Sequence, residues 1–473
     1  MKLLGHHVAV PALLLALVDG ILFLGTLYAL GFAGTCQVCA YASATHLEFY
    51  EAAFLATAFV LICASIGLYN RDALLGFRVF VQRFVLATQF VWIPAVLVMG
   101  IAKAAADAPF GWYLGILTIN IALFFAVLFV IRIILLWVVD LPMLKRRILI
   151  VGDAPQADAV GHFIATHGGS HLRSVGHLRQ LYVVQDTPIA SGNVALQSQV
   201  AFHAAPLLQI AQSVRAEEIV VAPSDRRGTP MWQLLDCKLQ GIRVTDYLSF
   251  WERETGQIDL DVVGPGWLAT AEGFRLDMAR RIIKRSLDIF VSLVGLVVGL
   301  PIGLLVALVI RLEGKGPLFY RQERVGRDGQ VFWIWKFRSM RVDAERDGVP
   351  RWAGVTDDRT TRVGRFIRRV RIDELPQVFN VLRGDMSFIG PRPERPYFVE
   401  QLRKQIPLYD LRHRVRPGIT GWAQVNHPYG ASLEDTKRKL AFDIYYVKNQ
   451  DMILDFAILL QTVRVMLFSH GGR

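Results

Sequence analysis

Asp373 and Glu374 stand side by side, after arginines at 365, 368, 369 and 371 and before the turn Gly390-Pro391-Arg392-Pro393. A carboxylate pair hemmed in by guanidinium groups is suited to phosphate, because arginine presents a planar fork that engages two phosphate oxygens at once. Beside such a site a carboxylate can attack phosphorus, hold a magnesium ion, or do both. Gln322, Lys336 and Arg338 add polar side chains upstream. The plainer reading of Asp373 is a helix cap. Leu375, Val378, Phe379 and Leu382 recur at helical spacing, and Asp ahead of a proline in the first turn is a common way for a helix to start. The two readings are compatible, since a helix N-terminus favours an ionised carboxylate and leaves N–H groups free to face an anion. The basic company favours the chemical one.

Such a pair must be carried by a large, greasy and basic molecule. The chain has 473 residues, 53% of them hydrophobic, and a formal net charge of +12. That length allows two or three domains. Four apolar runs, at about 8–33, 47–69, 79–102 and 112–139, each reach the ~20 residues that cross a bilayer. Lys2, Arg71, Arg78, Arg83 and Lys145-Arg146-Arg147 flank them on one side; Glu48, Glu51, Asp107 and a single Lys103 lie on the other. The positive-inside rule then predicts a membrane domain of four helices over 1–145, with everything after Lys145 in the cytoplasm. The first run is too long and too weakly basic at its start for a cleaved signal peptide, and reads as a retained anchor. Asp19 within it is expected to face the bundle interior, in a functional or a structural pairing. Cys36 and Cys39 form a C-x-x-C in the first outward loop with no second pair to complete a zinc site, so they read as ordinary loop residues.

From Arg147 the texture becomes that of an α/β domain, placed at 146–265. Strands are predicted at 148–151, 218–222 and 242–244, and helices at 155–167, 206–215 and 230–240, an alternation that implies a parallel sheet of Rossmann type. Its glycine loop is degraded. Gly152, Ala154 and Ala157 occupy the three positions, so a pyrophosphate would meet a methyl group at the second. No acidic residue stands at the spacing of a ribose contact, so a structural or regulatory domain is expected rather than one that holds NAD.

A fifth apolar run lies between Arg285 and Arg311, with Pro301 near its middle. As a straight helix it would span ~38 Å, enough to cross a ~30 Å hydrocarbon core. Arg280, Arg281, Lys284 and Arg285 precede it, and Arg311 and Lys315 follow, which places both ends on the cytoplasmic side. Pro301 lacks a backbone donor and clashes with the preceding turn. A helix–break–helix over 284–311 that enters and returns, broken at Pro301, is therefore preferred to a kinked crossing.

The remaining motifs follow in order: Lys284-Arg285-x-x-Asp288, Gly316-Pro317-Leu318-Phe319-Tyr320-Arg321-Gln322, Arg324-Val325-Gly326 and Lys336-Phe337-Arg338-Ser339-Met340. Then come Asp373-Glu374-Leu375-Pro376-Gln377, Gly384-Asp385-Met386-Ser387, Arg392-Pro393-Glu394, Pro417-Gly418-Ile419-Thr420-Gly421 and Asp443-Ile444-Tyr445-Tyr446. Each alone has a bland reading as a turn, a surface charge or a cap. In this order, behind an apolar helix, they resemble the bacterial sugar transferase family, the polyprenyl-phosphate sugar-1-phosphate transferases, over 275–473. Asp225-Arg226-Arg227 and Trp251-Glu252-Arg253-Glu254-Thr255-Gly256 look like the middle domain of its larger members.

The resemblance implies a re-entrant membrane helix with a proline at its break, in a multi-pass protein of the bacterial inner membrane. It also implies transfer of a sugar 1-phosphate, expected to be glucose or galactose on UDP, to undecaprenyl phosphate, as the first membrane step in assembling an exopolysaccharide or O-antigen-type glycan. Asp373 would be the nucleophile that carries the phosphosugar, with Glu374 orienting the Mg²⁺ or a proton. Lys336, Arg338 and Arg392 would contact the diphosphate, with Gln322, Arg368 and Arg371 beside them. The positive charge then serves phosphates and anionic membrane lipid rather than nucleic acid. Self-association through the middle domain would make a homodimer. Two other classes stay open. One is a non-catalytic membrane scaffold that senses a nucleotide sugar, which loss of the Asp-Glu pair would have favoured. The other is a nucleotide-sugar dehydratase or reductase, which needs an intact glycine loop and a Tyr-x-x-x-Lys pair that the middle domain lacks.

Overall fold

The computed structural model describes residues 2–3, 6–7, 10–32, 49–69, 145–167, 172–179, 206–223, 229–274, 278–341, 359–427 and 432–468, with short helical pieces between 80 and 134. Helices α1 (Val10–Phe32) and α2 (Phe49–Ile66) coincide with the first two apolar runs. Most of the third and fourth runs, Cys36, Cys39, Lys103, Asp107 and the 225–227 motif lie outside the described residues. Phe59 of α2 meets Phe23 of α1 at 4.8 Å and Phe124 and Phe125 of the fourth run at 4.9 and 5.9 Å, and Phe84 of the third run meets Phe125 at 5.2 Å. Asp19 is buried, as the cost of a carboxylate facing lipid demands.

The α/β domain runs β1 (Arg146–Val151), α3 (Pro155–His167), β2 (Leu172–Leu178), α4 (Leu207–Ser213), β3 (Glu218–Val221), α5 (Met231–Leu239), β4 (Arg243–Asp246) and α6 (Tyr247–Thr255). Its four strands are all parallel, in the order β2-β1-β3-β4. Ile148, Ile150 and Val220 pack with Val160 and Ile164 of α3 and Phe250 of α6. Leu149, Val151 and Ile219 turn the other way, against Leu207 and Ala211 of α4 and Leu234 and Cys237 of α5. Strand alternation thus sends successive residues to opposite helical layers, which is why β1 is apolar almost throughout. Gly152 has φ 145°, and a Cβ there would stand 1.9 Å from the Ala222 carbonyl oxygen, so the β1 exit requires glycine for strand packing.

Next comes α7 (Met278–Glu313), among the described residues the one helix long and apolar enough to cross a bilayer. Pro301 lies inside it without dividing it, which corrects the expectation of two helices and a break. Arg285 donates from Nη1 to the Val381 carbonyl at 2.6 Å and from Nη2 to that of Leu382 at 2.7 Å. Asp288 accepts from the Ser387 hydroxyl at 2.9 Å and the Phe388 N–H at 3.0 Å. At the other end, Val306 and Ile310 pack with Phe337 and Ile367. The opposite side of α7, with Phe290, Val297, Val298, Leu304, Leu305 and Leu312, is exposed.

The chain continues with β5 (Phe319–Val325) and β6 (Val331–Phe337) as an antiparallel hairpin, then α8 (Arg362–Arg369), a 3₁₀ turn (Ile372–Glu374), α9 (Gln377–Arg383), β7 (Ser387–Ile389), α10 (Pro396–Gln405), β8 (Gly418–Thr420), α11 (Leu433–Asn449) and α12 (Met452–Phe468). Phe398, Val399, Leu402, Leu440 and Ile444 share one core with the α3 side of the parallel sheet. The two regions are therefore welded. Lys448 Nζ reaches both carboxylate oxygens of Glu252 at 2.7 Å, and Trp422 Nε1 donates to the Gly256 carbonyl at 2.7 Å.

Candidate active site

Helix α8 closes at Val370, and Arg371 then takes a left-handed backbone, φ 55°, where non-glycine residues are uncommon. That reversal swings the chain into the 3₁₀ turn and folds the Arg371 side chain back over Glu374, with Nη2 at 2.9 Å and Nε at 3.3 Å from Oε2. The hairpin supplies Lys336, whose Nζ lies 3.0 Å from Glu374 Oε1, and the turn after β7 supplies Arg392, whose Nη2 lies 2.7 Å from the same oxygen. Burial alone would raise the Glu374 pKa, but Arg392, Lys336 and Arg371 overcome it and hold the carboxyl well below the usual range. Burial lowers the pKa of Lys336, against the pull of Glu374.

Asp373 is treated differently. It is buried, yet its carboxylate makes no hydrogen bond to any described residue. Burial pushes its pKa up, Lys336 opposes that, and the charge of Glu374 adds to it. Arg368, on the last turn of α8, also lowers it, and its guanidinium makes no hydrogen bond to the described residues. One carboxylate is thus locked by three cations, and its neighbour makes no hydrogen bond to the described residues among the same cations. Asp373 is not a helix cap, because α9 begins at Gln377 with Pro376 at the cap position. The 3₁₀ turn ahead of it makes Asp373-Glu374 a separate, tighter unit.

Behind these residues stands a layer that joins Asp443 and Arg324 of the quoted motifs to Arg412 and Tyr409, which motif reading missed. Arg412 is buried; it donates from Nη2 to the Arg392 carbonyl at 2.8 Å, pairs with Asp443 Oδ2 at 2.9 Å, and donates from Nη1 to the Tyr409 hydroxyl at 2.8 Å. Burial pushes Asp443 up to about 6 against the pull of Arg412. Arg324 donates to the Pro393 carbonyl at 2.9 Å and to Gln322 Oε1 at 2.6 Å. Gln322, Arg324 and Lys336 share one face of the hairpin, as the pairing of Lys336 with Tyr320 and of Gln322 with Ile334 requires. Arg412 has no local mark, since it stands in the charged run Asp410-Leu411-Arg412-His413-Arg414. Gly390 and Gly421 belong together for backbone reasons, since a Cβ on Gly421 would fall 2.1 Å from the Gly390 carbonyl oxygen.

Of the expected site residues, Asp373, Glu374, Lys336, Arg371 and Arg392 converge, Arg368 faces them, and Gln322 lies alongside. Arg338 does not join them. Its guanidinium donates to the carbonyls of Ile310, Gly314 and Lys315 at 2.8–3.1 Å, closing the C-terminus of α7. A magnesium ion that arrives on a diphosphate asks the protein for one or two carboxylates. Asp373 fits that demand; Glu374, with both oxygens already taken by cations, does not. Among the described residues no group of three acidic, histidine or cysteine side chains could hold a metal ion.

Residues 279–469 match the family model described as bacterial sugar transferase. A UDP-glucose:undecaprenyl-phosphate glucose-1-phosphate transferase of Caulobacter vibrioides is 41% identical over 191 residues, which are 40% of this chain and 71% of that protein. The chain belongs to the bacterial sugar transferase family. A UDP-N-acetylgalactosamine-undecaprenyl-phosphate N-acetylgalactosaminephosphotransferase of Aeromonas hydrophila is 41% identical over 263 residues, 55% of this chain and 61% of its own length. A UDP-glucose:undecaprenyl-phosphate glucose-1-phosphate transferase of Escherichia coli is 43% identical over 190 residues, 40% of this chain and 41% of its own. The chain thus spans about half the length of these last two relatives. Within the family match lie the clamp at Arg285 and Asp288, the Asp373-Glu374 turn and the Arg392-Arg412-Asp443 layer.

Proposed function

We propose that this member of the family transfers a sugar 1-phosphate from a UDP-sugar to undecaprenyl phosphate through an ester on Asp373. The observation that carries the reading is the asymmetry of the pair: Glu374 is spent on holding Lys336, Arg371 and Arg392 in place, and Asp373 is free. The donor diphosphate lies among these cations and Arg368. An Asp373 oxygen bonds to the phosphorus that bears the sugar, the bond from that phosphorus to the bridging oxygen breaks, and UMP leaves with the electron pair. A phosphate oxygen of undecaprenyl phosphate then attacks the same phosphorus, and Asp373 departs as a carboxylate. A Mg²⁺ on Asp373 and the donor would neutralise charge on the phosphates. Two half-reactions suit a soluble donor and a lipid acceptor that meet at the same carboxylate. The names of the relatives span glucose and N-acetylgalactosamine, so either class of sugar fits.

The membrane arrangement that goes with this reading has four N-terminal spans in the bacterial inner membrane and α7 entering and returning on the cytoplasmic side. It is supported by the contacts of α7. Asp288 near its start and Ile310 near its end both pack against one catalytic domain, which favours having both ends on the side of the membrane where that domain lies. The sensing reading draws on a cavity of about 1360 Å³ between Ala222 and Asp246 of the parallel sheet and Lys448 and Asn449 of α11. In this setting it becomes a regulatory addition to the enzyme.

The test is chemical. Membranes given UDP-sugar labelled in the sugar, with no lipid acceptor, should release UMP and retain phosphosugar on the peptide containing Asp373. Asp373→Asn should fold, lose at least ~10³ of the rate and retain no label. Label trapped on another residue, or full activity of the variant, would overturn the assignment.

A further inference from the structure

Gln377 lies in the first turn of α9 and is 2% exposed, yet its side chain makes no hydrogen bond to any described residue, and Nε2 is fully enclosed. An enclosed amide donor without a partner costs stability, so native chains keep few of them. Its direction follows from its neighbours. Asn380, three residues on and on the same side of α9, accepts from the Trp335 N–H at 3.2 Å and donates to the Trp333 carbonyl at 2.8 Å. Val381 packs with Ile334 of β6. Lys336 is two residues beyond Ile334 on the same face of the strand, so it stands one helical turn nearer the start of α9, at the level of Gln377. Lys336 is the residue that reaches Glu374 and bears on Asp373.

We infer that Gln377 contacts the substrate, its Nε2 donating to an oxygen of the phosphoryl group that Asp373 receives. The inference rests on the transfer reaction proposed above. The cations bring in charge from around the carboxylates, whereas a neutral amide beside Lys336 supplies one directed donor that the folded protein leaves unused until phosphate arrives. Such a donor acts on the group whose charge redistributes as the phosphorus changes partners, so its loss belongs in kcat more than in KM.

Stability and rate separate this role from a structural one. Gln377→Met keeps the volume and removes the unpartnered amide. It should raise the unfolding midpoint of the full chain in nanodiscs while slowing UMP release roughly 10²-fold, with KM for UDP-sugar little changed. Gln377→Glu, which sets an anion where the phosphoryl oxygen belongs, should be slower than the Met variant. A Met variant that keeps its rate overturns the inference. One that loses stability overturns it as well, because the amide would then have a structural partner. A wild type that releases no UMP from any UDP-sugar sinks the proposed function instead. The phosphate contact is then judged with inorganic pyrophosphate, whose stabilisation of wild type must shrink in Gln377→Met or the inference fails.

Discussion

At the scale of the residue, two adjacent carboxylates sit in one buried pocket and titrate in opposite directions. Burial raises Asp373, helped by Glu374 and opposed by Lys336. Glu374 is held low by Arg392, Lys336 and Arg371 in spite of burial. The proposed transfer needs Asp373 ionised, so activity should fall as pH drops through a folded-state pKa above the ~3.9 of a free aspartate. The stabilisation from Glu374 is present above its unfolded pKa of ~4.3 and is lost only as pH falls through the lower folded value. The acid limb of UMP release measured without acceptor therefore belongs to Asp373. Arg368→Gln, which removes a cation that lowers Asp373, should move that limb to higher pH; an unchanged limb would separate Arg368 from the nucleophile. The pair itself was legible from the sequence, because arginines crowd it within a few residues on one side. The locking of Glu374 was not, since two of its three partners, Lys336 and Arg392, arrive from a hairpin and a turn 38 and 18 residues away. Arg338 misled for the same reason: an arginine two residues from a site lysine on a strand shares its face, but Phe337 ends the strand and the chain turns away.

At the scale of the element, α7 is a helix long and apolar enough to cross a bilayer, fastened along one side. Lys284 meets Asp455 at 2.7 Å, Arg285 closes the carbonyl end of α9, Asp288 holds β7, and Arg338 closes α7 itself. If both ends lie on one side, single cysteines replacing Arg281 and Lys315 should each be labelled by an impermeant reagent from the cytoplasm and neither from outside; opposite labelling would make α7 a crossing helix. The apolar run and its flanking charges were readable, as were the helix at Pro155–His167 and the strands at Arg146–Val151 and Glu218–Val221, the strands because each is a short unbroken apolar run. Strand β2, Leu-Arg-Ser-Val-Gly-His-Leu, was not. It is an edge strand with a single fully buried residue, so it carries neither a long apolar run nor a clean alternation. Proline was weighed as a breaker, whereas packing of Gly299 and Gly303 against Leu375 accompanies a helix that stays whole around Pro301.

At the scale of the whole molecule, the parallel-sheet domain and the catalytic domain behave as one body. The Glu252–Lys448 pair is buried between them, and Asn449 donates to the same carboxylate at 2.7 Å. Removing one partner of a buried pair strands the other charge, at a cost of about 3–5 kcal/mol. Lys448→Met should therefore lower the unfolding midpoint of the full chain, and the double change with Glu252→Gln should recover much of the loss. A single variant as stable as wild type would show the two domains to be loosely joined. This welding was not legible, because a core assembled from residues as far apart as Ile148 and Ile444 leaves no local pattern.

The fastening of α7 also has a consequence in time. Lys284 precedes Asp455 by 171 residues, so a ribosome that delivers ~5–20 residues per second makes the helix wait on the order of ten to thirty seconds for that partner. Arg285 and Asp288 wait a shorter time, for partners 96 to 100 residues on, but until its partner is made each of the three side chains stands without it, and charged groups do not enter hydrocarbon cheaply. The same three side chains that later anchor the helix to the enzyme therefore first serve as its floats, keeping the leading end at the water's edge until the rest of the protein arrives to take hold of it.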